Sequence, residues 1–221
     1  MQELRFAVPR GGDVSALWLR PDAARAALVL AHGAGAGMRH AFMVSVAERL
    51  AARGIATLRY QFPYMERGTR RPDPPSLAVG CVRAAVDVAR KHADGLPLFA
   101  GGKSFGGRMT STAAAQAPLA GVRGLVFLGF PLHASGNPGA ERGAHLGDVA
   151  LPMLFLQGTR DTLADLALLR PLCASLGARA RLHVVEGGDH SFHVLKSSGR
   201  SDDAVQDELA DAIASWIEGV E

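Results

Sequence analysis

The feature that most constrains the fold of this chain is a repeated change in hydrophobic period. Short apolar runs of strand type, such as residues 27–31 and 96–100, alternate with segments whose apolar residues recur at helical spacing. Strands that alternate with helices predict a mostly parallel sheet with helices on both faces. Two further short runs, residues 4–8 and 16–19, are joined by a glycine-containing turn and predict an antiparallel N-terminal edge. The predicted fold class is therefore α/β.

The length of 221 residues suits one domain of this class, and we expect residues 1–221 to form a single domain. The longest stretch without a clear period covers residues 130–149. It is long enough to form a flap but too short to build a cap domain. We therefore expect the carboxyl ends of the strands to be uncovered by any second layer.

Composition and charge narrow the classes of partner. The net charge is only +3 and the basic residues are scattered, so no nucleic-acid partner is expected. No apolar run approaches the roughly 20 residues that span a bilayer, and no signal-peptide pattern opens the chain, so we expect no membrane partner and a cytoplasmic location. Cys81 and Cys173 fall in apolar helical patterns, which indicates buried thiols. A monomer and a homodimer both remain open.

The clearest chemical motif follows the strand at residues 96–100. Ligands of open α/β sheets bind beyond the carboxyl ends of the strands. At this strand end, Gly102, Ser104 and Gly106 match the pattern G-x-S-x-G before a helix. Small residues on either side leave room for a sharp turn, from which the serine hydroxyl projects at the positive end of the helix. We predict Ser104 as a nucleophile; a glycine-rich turn with a capping serine is the structural alternative.

The same residues, Gly102-Lys103-Ser104, also resemble the end of a phosphate-binding P-loop. That motif requires a glycine five residues before Gly102, where this chain has Pro97. The intervening residues belong to a buried strand rather than to a loop. We therefore reject phosphate binding.

A run of small residues, His32-Gly33-Ala34-Gly35, follows the strand at residues 27–31. Acyl transfer develops negative charge on a carbonyl oxygen, which fixed backbone N–H groups stabilise. We expect the amides of Ala34 and Phe105, the residue after the nucleophile, to form this oxyanion hole. Gly33 and Gly35 are expected to border the binding site, and His32 to orient the loop. A plain glycine-rich turn is the structural alternative.

A serine nucleophile needs a base, and an imidazole serves once a carboxylate fixes its tautomer. Asp161 follows the predicted strand at residues 153–157, and His190 follows the strand at residues 181–185. The resulting chain order is Ser, Asp, His, and the three loops should converge at one edge of the sheet. We predict His190 as the base and Asp161 as the acid. Alternatives that remain open are Asp165 or Asp148 as the acid and His193 as the base.

The ordered motifs together resemble the α/β-hydrolase superfamily over essentially the whole chain. Within it, residues 58–66, followed by Pro72-Asp73 and Gly-Lys-Ser, are similar to a small branch named after the KAN-L and testis-expressed proteins. That branch is often labelled dienelactone-hydrolase-like. The resemblance implies the hydrolase fold, the roles of serine, histidine and aspartate, and esterase-like chemistry. Dienelactone hydrolases proper use a cysteine nucleophile, whereas this chain has Ser104, so a dienelactone substrate is not expected.

The predicted function is hydrolysis of small esters or thioesters through an acyl-enzyme, with no cofactor and no metal. Tyr64, in the segment 59–71, is expected to line the pocket. Lys103 would either steer acidic substrates or point to solvent. Some members of the branch that this chain resembles act as scaffold proteins. The alternative function is therefore a non-catalytic interaction module that retains the hydrolase fold.

Overall fold

The computed structural model of the chain describes residues 1–69 and 71–220, so that residue 70 of the segment 59–71 and residue 221 lie outside the described part. Its centre is a sheet with the strand order β1-β2-β4-β3-β5-β6-β7-β8. In chain order the strands are β1 Gln2–Val8, β2 Gly12–Leu19, β3 Ala26–Ala31, β4 Ile55–Tyr60, β5 Leu98–Lys103, β6 Val122–Leu128, β7 Met153–Gly158 and β8 Ala180–Val185. The β1–β2 and β2–β4 pairs are antiparallel and the others parallel. The predicted α/β class with an antiparallel N-terminal edge is confirmed.

Helices cover both faces of the sheet. They are α1 Ala41–Ala52, α2 Pro63–Glu66, α3 Pro75–Ala93, α4 Phe105–Gln116, α5 Leu166–Ser175 and α6 Asp202–Glu218. Buried residues of α3, α4 and α5 belong to one hydrophobic cluster, and buried residues of α1 and α6 belong to a second. None of the described helices is long and apolar enough to cross a membrane.

Strand β3 shows why the central strands are apolar throughout. All six of its residues are buried. Ala27 and Val29 face the cluster of α3, α4 and α5, whereas Leu28 and Leu30 face the cluster of α1 and α6. A strand covered on both faces has no solvent side, so the polar alternation of an edge strand is absent. Because β3 and β5 are neighbours that run in parallel, their carboxyl ends lie side by side in the middle of the sheet.

The structure extends β5 to Lys103, three residues beyond the predicted end at residue 100. The extension contains Gly101, where a built Cβ would lie only 1.9 Å from the carbonyl oxygen of Val126 in β6. A glycine is needed at this close approach, and its presence interrupts the hydrophobic pattern on which the predicted boundary depended. The four-residue helix α2 was also not predicted, because one turn carries no helical period.

The segment at residues 130–149 is fixed to the rest of the fold at its C-terminal part. It contains the 3-10 helix Glu141–Asp148, in which Leu146 is buried. Nε2 of His145 lies 2.7 Å from Oγ of Ser111 in α4. No separate cap domain covers the sheet within the described residues, as predicted.

Candidate active site

Ser104 occupies a sharp turn between β5 and α4, with φ 50° and ψ −116°. A non-glycine residue in such a conformation costs on the order of 1–3 kcal/mol and persists only where its surroundings impose it. The surroundings here are the end of β3. A built Cβ at Gly102 would lie 2.3 Å from the carbonyl oxygen of Ala31, and one at Gly106 would lie 2.6 Å from that of His32. The two glycines of the motif therefore allow the serine turn to press against β3.

The structure brings Ser104, His190 and Asp161 together. Oγ of Ser104 lies 2.8 Å from Nε2 of His190, and Nδ1 of His190 lies 2.7 Å from Oδ2 of Asp161. Because the carboxylate only accepts, Nδ1 carries the proton and Nε2 accepts from the serine hydroxyl. The Asp161 side chain is 0% exposed and that of His190 is 23% exposed. A hydrogen-bonded chain thus runs from a buried carboxylate to a hydroxyl near the surface.

The carboxylate of Asp161 accepts two further hydrogen bonds. Nε2 of Gln157 donates to Oδ2 at 2.5 Å, and the backbone N–H of Leu163 donates to Oδ1 at 2.8 Å. Oε1 of Gln157 is buried and has no hydrogen-bond partner in the described part of the chain. Gln157 is not among the residues predicted from the sequence. The available signal was a polar residue in the otherwise apolar strand β7.

The alternative acids and base are engaged elsewhere. Asp165 caps α5, where its Oδ1 accepts from the backbone N–H of Ala167 at 2.8 Å. Asp148 is exposed at the end of its 3-10 helix. Nδ1 of His193 lies 2.7 Å from Oδ2 of Asp202, a hydrogen bond that raises the pKa of His193.

A second serine–histidine pair, Ser111 and His145, differs from the pair at Ser104. Ser111 is fully buried inside α4, and its hydroxyl also contacts the carbonyl oxygen of Arg108 at 2.9 Å. Burial, and secondarily the charge of Arg108, lowers the pKa of His145. Among the described residues no carboxylate hydrogen bonds to His145. This pair joins the 3-10 helix to α4, and its serine is closed to a substrate.

His32 and Tyr64 hold the loop that follows β3. Nδ1 of the buried His32 donates to the carbonyl oxygen of Gly33 at 2.7 Å, while Nε2 accepts from the N–H of Phe62 at 3.1 Å. Burial lowers the pKa of His32 to about 4, so the ring is neutral near pH 7. The hydroxyl of Tyr64 accepts from the N–H of Gly35 at 3.1 Å. Because Tyr64 is itself fully buried, it supports the loop from behind instead of lining the cavity.

The amides of Ala34 and Phe105 are both available at the site. Phe105 is the first residue of α4, and the first amides of a helix have no intrahelical partner. Ala34 lies in the loop after β3, beside the cavity at Ser104. Neither N–H donates a hydrogen bond to another group among residues 1–69 and 71–220. Both are free to bind an anionic oxygen.

A cavity of about 340 Å³ opens at Ser104. Its lining combines the loop after β3, the start of α1 and the loops after β5, β7 and β8: Gly33, Ala34, Ala36, His40, Phe42, Met43, Lys103, Ser104, Leu163, His190 and Ser191. Of the four residues expected to border the binding site, Gly33 and Lys103 line this cavity. Gly35 and Tyr64 are not among its lining residues. A larger furrow of about 790 Å³, between β1, β2 and residues 36–40, contains neither Ser104 nor His190.

Comparison with known proteins agrees with this architecture. The family model described as an alpha/beta hydrolase domain matches residues 24–218. An alpha-beta serine hydrolase homologue from Coxiella burnetii is 20% identical, with a TM-score of 0.77 over 96% of this chain and 97% of that one. A dienelactone hydrolase from Anabaena variabilis is 22% identical, with a TM-score of 0.77 over 99% and 98%. A lidless serine hydrolase from Xanthomonas campestris is 20% identical, with a TM-score of 0.76 over 97% and 94%.

At these identities the solved structures show a shared fold. The matched family supports a hydrolase function. The family match covers nearly the whole chain and includes the ends of β3, β5, β7 and β8, where the candidate residues lie. The chain accordingly belongs to the alpha/beta hydrolase family, as its ordered motifs predicted.

Proposed function

We propose that this hydrolase is a serine esterase that cleaves small esters or thioesters through an acyl-enzyme. The observation that carries the proposal is the continuous hydrogen-bonded chain from Oγ of Ser104 through His190 to Asp161. A nucleophile within hydrogen-bond reach of a base, which a third group orients, is the arrangement that nucleophilic acyl transfer needs. The strained backbone at Ser104 supports the same role.

In the proposed reaction, Oγ of Ser104 attacks the substrate carbonyl carbon while Nε2 of His190 accepts the hydroxyl proton. The N–H groups of Phe105 and Ala34 bind the oxyanion of the tetrahedral intermediate. His190 then gives its proton to the departing alkoxide or thiolate, which leaves the acyl group on Ser104. A water molecule, deprotonated by His190, releases the acid and restores the serine. Asp161 orients His190 and stabilises its imidazolium form.

The cavity supports a small, largely apolar acyl group. Its volume is about 340 Å³, and Phe42, Met43 and Leu163 contribute apolar lining. A pocket of this size lies at the lower end of the range for small-molecule sites. We infer that acyl chains of a few carbon atoms fit best and that the alcohol or thiol part extends toward solvent.

Replacement of the proposed nucleophile tests this function directly. Ser104→Ala is expected to lower kcat/KM for p-nitrophenyl acetate by about 10³- to 10⁶-fold, because the triad acts as a unit. Ser111→Ala, which breaks the other serine–histidine contact, is the matched control and should retain activity within a few fold. Folded Ser104→Ala with undiminished turnover would exclude Ser104. A folded wild-type protein that a fluorophosphonate probe does not label would favour the interaction-module alternative.

The proposed acid is tested by a second pair of variants. Asp161→Asn removes the charge that orients His190 and should lower kcat by about 10³- to 10⁴-fold. Asp165→Asn alters only the cap of α5 and should leave kcat near the wild-type value, since asparagine also caps helices well. The reverse ranking of the two rates would assign the acid to Asp165.

A further inference from the structure

Lys103 is the last residue of β5, and its side chain reaches the loop after β8, which carries His190. Its Nζ donates to the backbone carbonyl oxygen of His190 at 2.5 Å and is 5.5 Å from the ring centroid of Phe192. The side chain also passes the two neighbouring loops closely. A built Cβ on Gly33 would lie 3.5 Å from Cγ of Lys103, and one on Gly129 would lie 2.9 Å from Nζ. The ammonium therefore lies among the loops after β3, β6 and β8, while the half-buried side chain also borders the cavity at Ser104.

Each element around Lys103 contributes a defined charge environment. The loop after β7 contributes the carboxylate of Asp161, and the loop after β8 contributes Asp189 and the imidazole of His190. The loops after β3 and β6 approach the side chain through glycines. Burial lowers the pKa of Lys103 to about 8, and the two carboxylates oppose this shift by favouring the ammonium form.

Resting on the proposed esterase function, we propose that Lys103 is a positioning residue. Its ammonium holds the backbone of His190 in place, which keeps the imidazole within hydrogen-bond distance of Ser104. Asp161 fixes the rotation of the imidazole through Nδ1, but it does not fix the backbone that carries the ring. Lys103 and Ser104 are consecutive residues, so one short stretch of chain carries both the nucleophile and the anchor of its base. A displacement of about 1 Å between reacting groups costs on the order of 10²-fold in rate.

The anchor depends on charge. A hydrogen bond from an ammonium to a carbonyl oxygen is roughly twice as strong as one from a neutral donor. The ammonium is present below the pKa of Lys103 and is lost as the pH rises through about 8. Activity of the wild-type protein should therefore decline on the alkaline side near that pH.

Lys103→Met keeps the apolar stem and removes the ammonium. With p-nitrophenyl acetate, a neutral ester, we expect kcat to fall about 10- to 100-fold with KM within about twofold. Over about pH 6 to 10, after subtraction of spontaneous hydrolysis, the alkaline decline should also disappear. Lys91→Met, at an exposed position of α3, is the matched control and should keep both the rate and the decline. Wild-type kcat and an unchanged alkaline decline in Lys103→Met would overturn the proposal.

A role in recognising acidic substrates gives a different result. If Lys103 bound a substrate carboxylate, Lys103→Met would raise KM for p-nitrophenyl hemisuccinate and leave kcat for p-nitrophenyl acetate unchanged. That pattern would also overturn the positioning role. Loss of kcat on both esters supports it.

Hydrogen exchange tests the anchor without relying on turnover. Backbone amides of residues 187–192 should exchange at least about tenfold faster in Lys103→Met than in the wild-type protein, with β3 and β5 amides unchanged. Equal exchange in this loop would overturn the proposal, whether or not the protein hydrolyses esters. Turnover retained by Ser104→Ala would instead overturn the esterase function and leave the exchange result standing. Lys103→Gln is the second variant should Lys103→Met not fold, with the same expectations.

Discussion

At the scale of single residues, the candidate site depends on polar side chains that lie beneath it. Gln157 is fully buried in β7, and its side-chain amide donates a hydrogen bond to the carboxylate of Asp161. Charge-assisted hydrogen bonds of this kind contribute about 1.5–3 kcal/mol. The orphaned Oε1 of the same side chain opposes stability, because a buried acceptor without a partner has lost its hydration. Gln157 thus helps to hold the Asp161 carboxylate in its observed orientation, while its unpartnered Oε1 lowers the stability of the fold.

Gln157→Leu should therefore separate activity from stability. Loss of the donor to Asp161 is expected to lower kcat/KM by about 10- to 100-fold, whereas the free energy of unfolding should change by less than about 1 kcal/mol. Ester hydrolysis and urea denaturation measure the two effects. Gln206→Leu is the matched control. Gln206 also has a buried Oε1 that finds no hydrogen-bond partner among the described residues, but it lies in α6. Equal activity of Gln157→Leu and Gln206→Leu would contradict the orienting role.

Residue types and chain order were enough to predict which serine, aspartate and histidine meet. They were not enough to predict the direction of the side chains around them. Lys103 was expected to steer acidic substrates or to point to solvent. It does border the cavity, but the contact of its ammonium with the carbonyl oxygen of His190 was not predicted. Tyr64 was expected in the cavity lining, and it supports Gly35 from a buried position. Spacing along the chain specifies proximity to a strand end, whereas orientation depends on neighbouring loops that are distant in sequence.

At the scale of secondary-structure elements, the contact that matters most is that between the start of α4 and the end of β3. Gly106→Ala would place a Cβ 2.6 Å from the carbonyl oxygen of His32, which is backbone and cannot rotate away. We expect the free energy of unfolding to fall by about 1–3 kcal/mol, together with a loss of activity as α4 and Ser104 move. Chemical denaturation and ester hydrolysis measure both.

Gly80→Ala is the control for Gly106→Ala. Gly80 lies within α3, and a built Cβ there meets no atom of residues 1–69 and 71–220 within 4 Å. The same substitution should stabilise the protein by about 0.5–1 kcal/mol, because alanine is the better helix former. A loss of stability at Gly80 equal to that at Gly106 would contradict the steric explanation.

Boundaries of elements were predictable where burial made the sequence uniformly apolar. β3 was predicted at residues 27–31 and is observed as Ala26–Ala31. The 3-10 helix Glu141–Asp148 was not predicted, because its glycines and charged residues give no period and its position depends on contacts with α4. Elements fixed by distant partners therefore escaped a prediction based on local pattern.

At the scale of the whole molecule, the sheet separates two hydrophobic clusters, and ion pairs close the outer side of one of them. Arg49 in α1 contacts Asp203 and Asp207 of α6, each at 2.7 Å. Arg53, at the end of α1, contacts Asp211 of α6 at 2.6 Å. The two arginine side chains are only 22% and 20% exposed, so they are better held than isolated surface charges.

Arg53→Met should weaken the junction of α1 and α6 while retaining the apolar stem. We expect a loss of about 0.5–1 kcal/mol in the free energy of unfolding at low salt, which shrinks in about 1 M salt as the charges are screened. Denaturant titrations of both proteins at the two salt concentrations provide the measurement. Arg90→Met, whose contact with Asp87 is a looser 3.8 Å, is the control and should show little change. A loss that does not depend on salt would assign the effect to packing.

The order of strands in the sheet has a consequence for synthesis of the chain. From β5 onward, spatial order follows chain order, so that β6, β7 and β8 are added one after another toward one edge. Ser104 and its turn emerge from the ribosome long before the loops that carry Asp161 and His190. A domain generally folds as a unit during translation. The proposed triad therefore cannot assemble until the residues of β8 and the loop that carries His190 have also been synthesised.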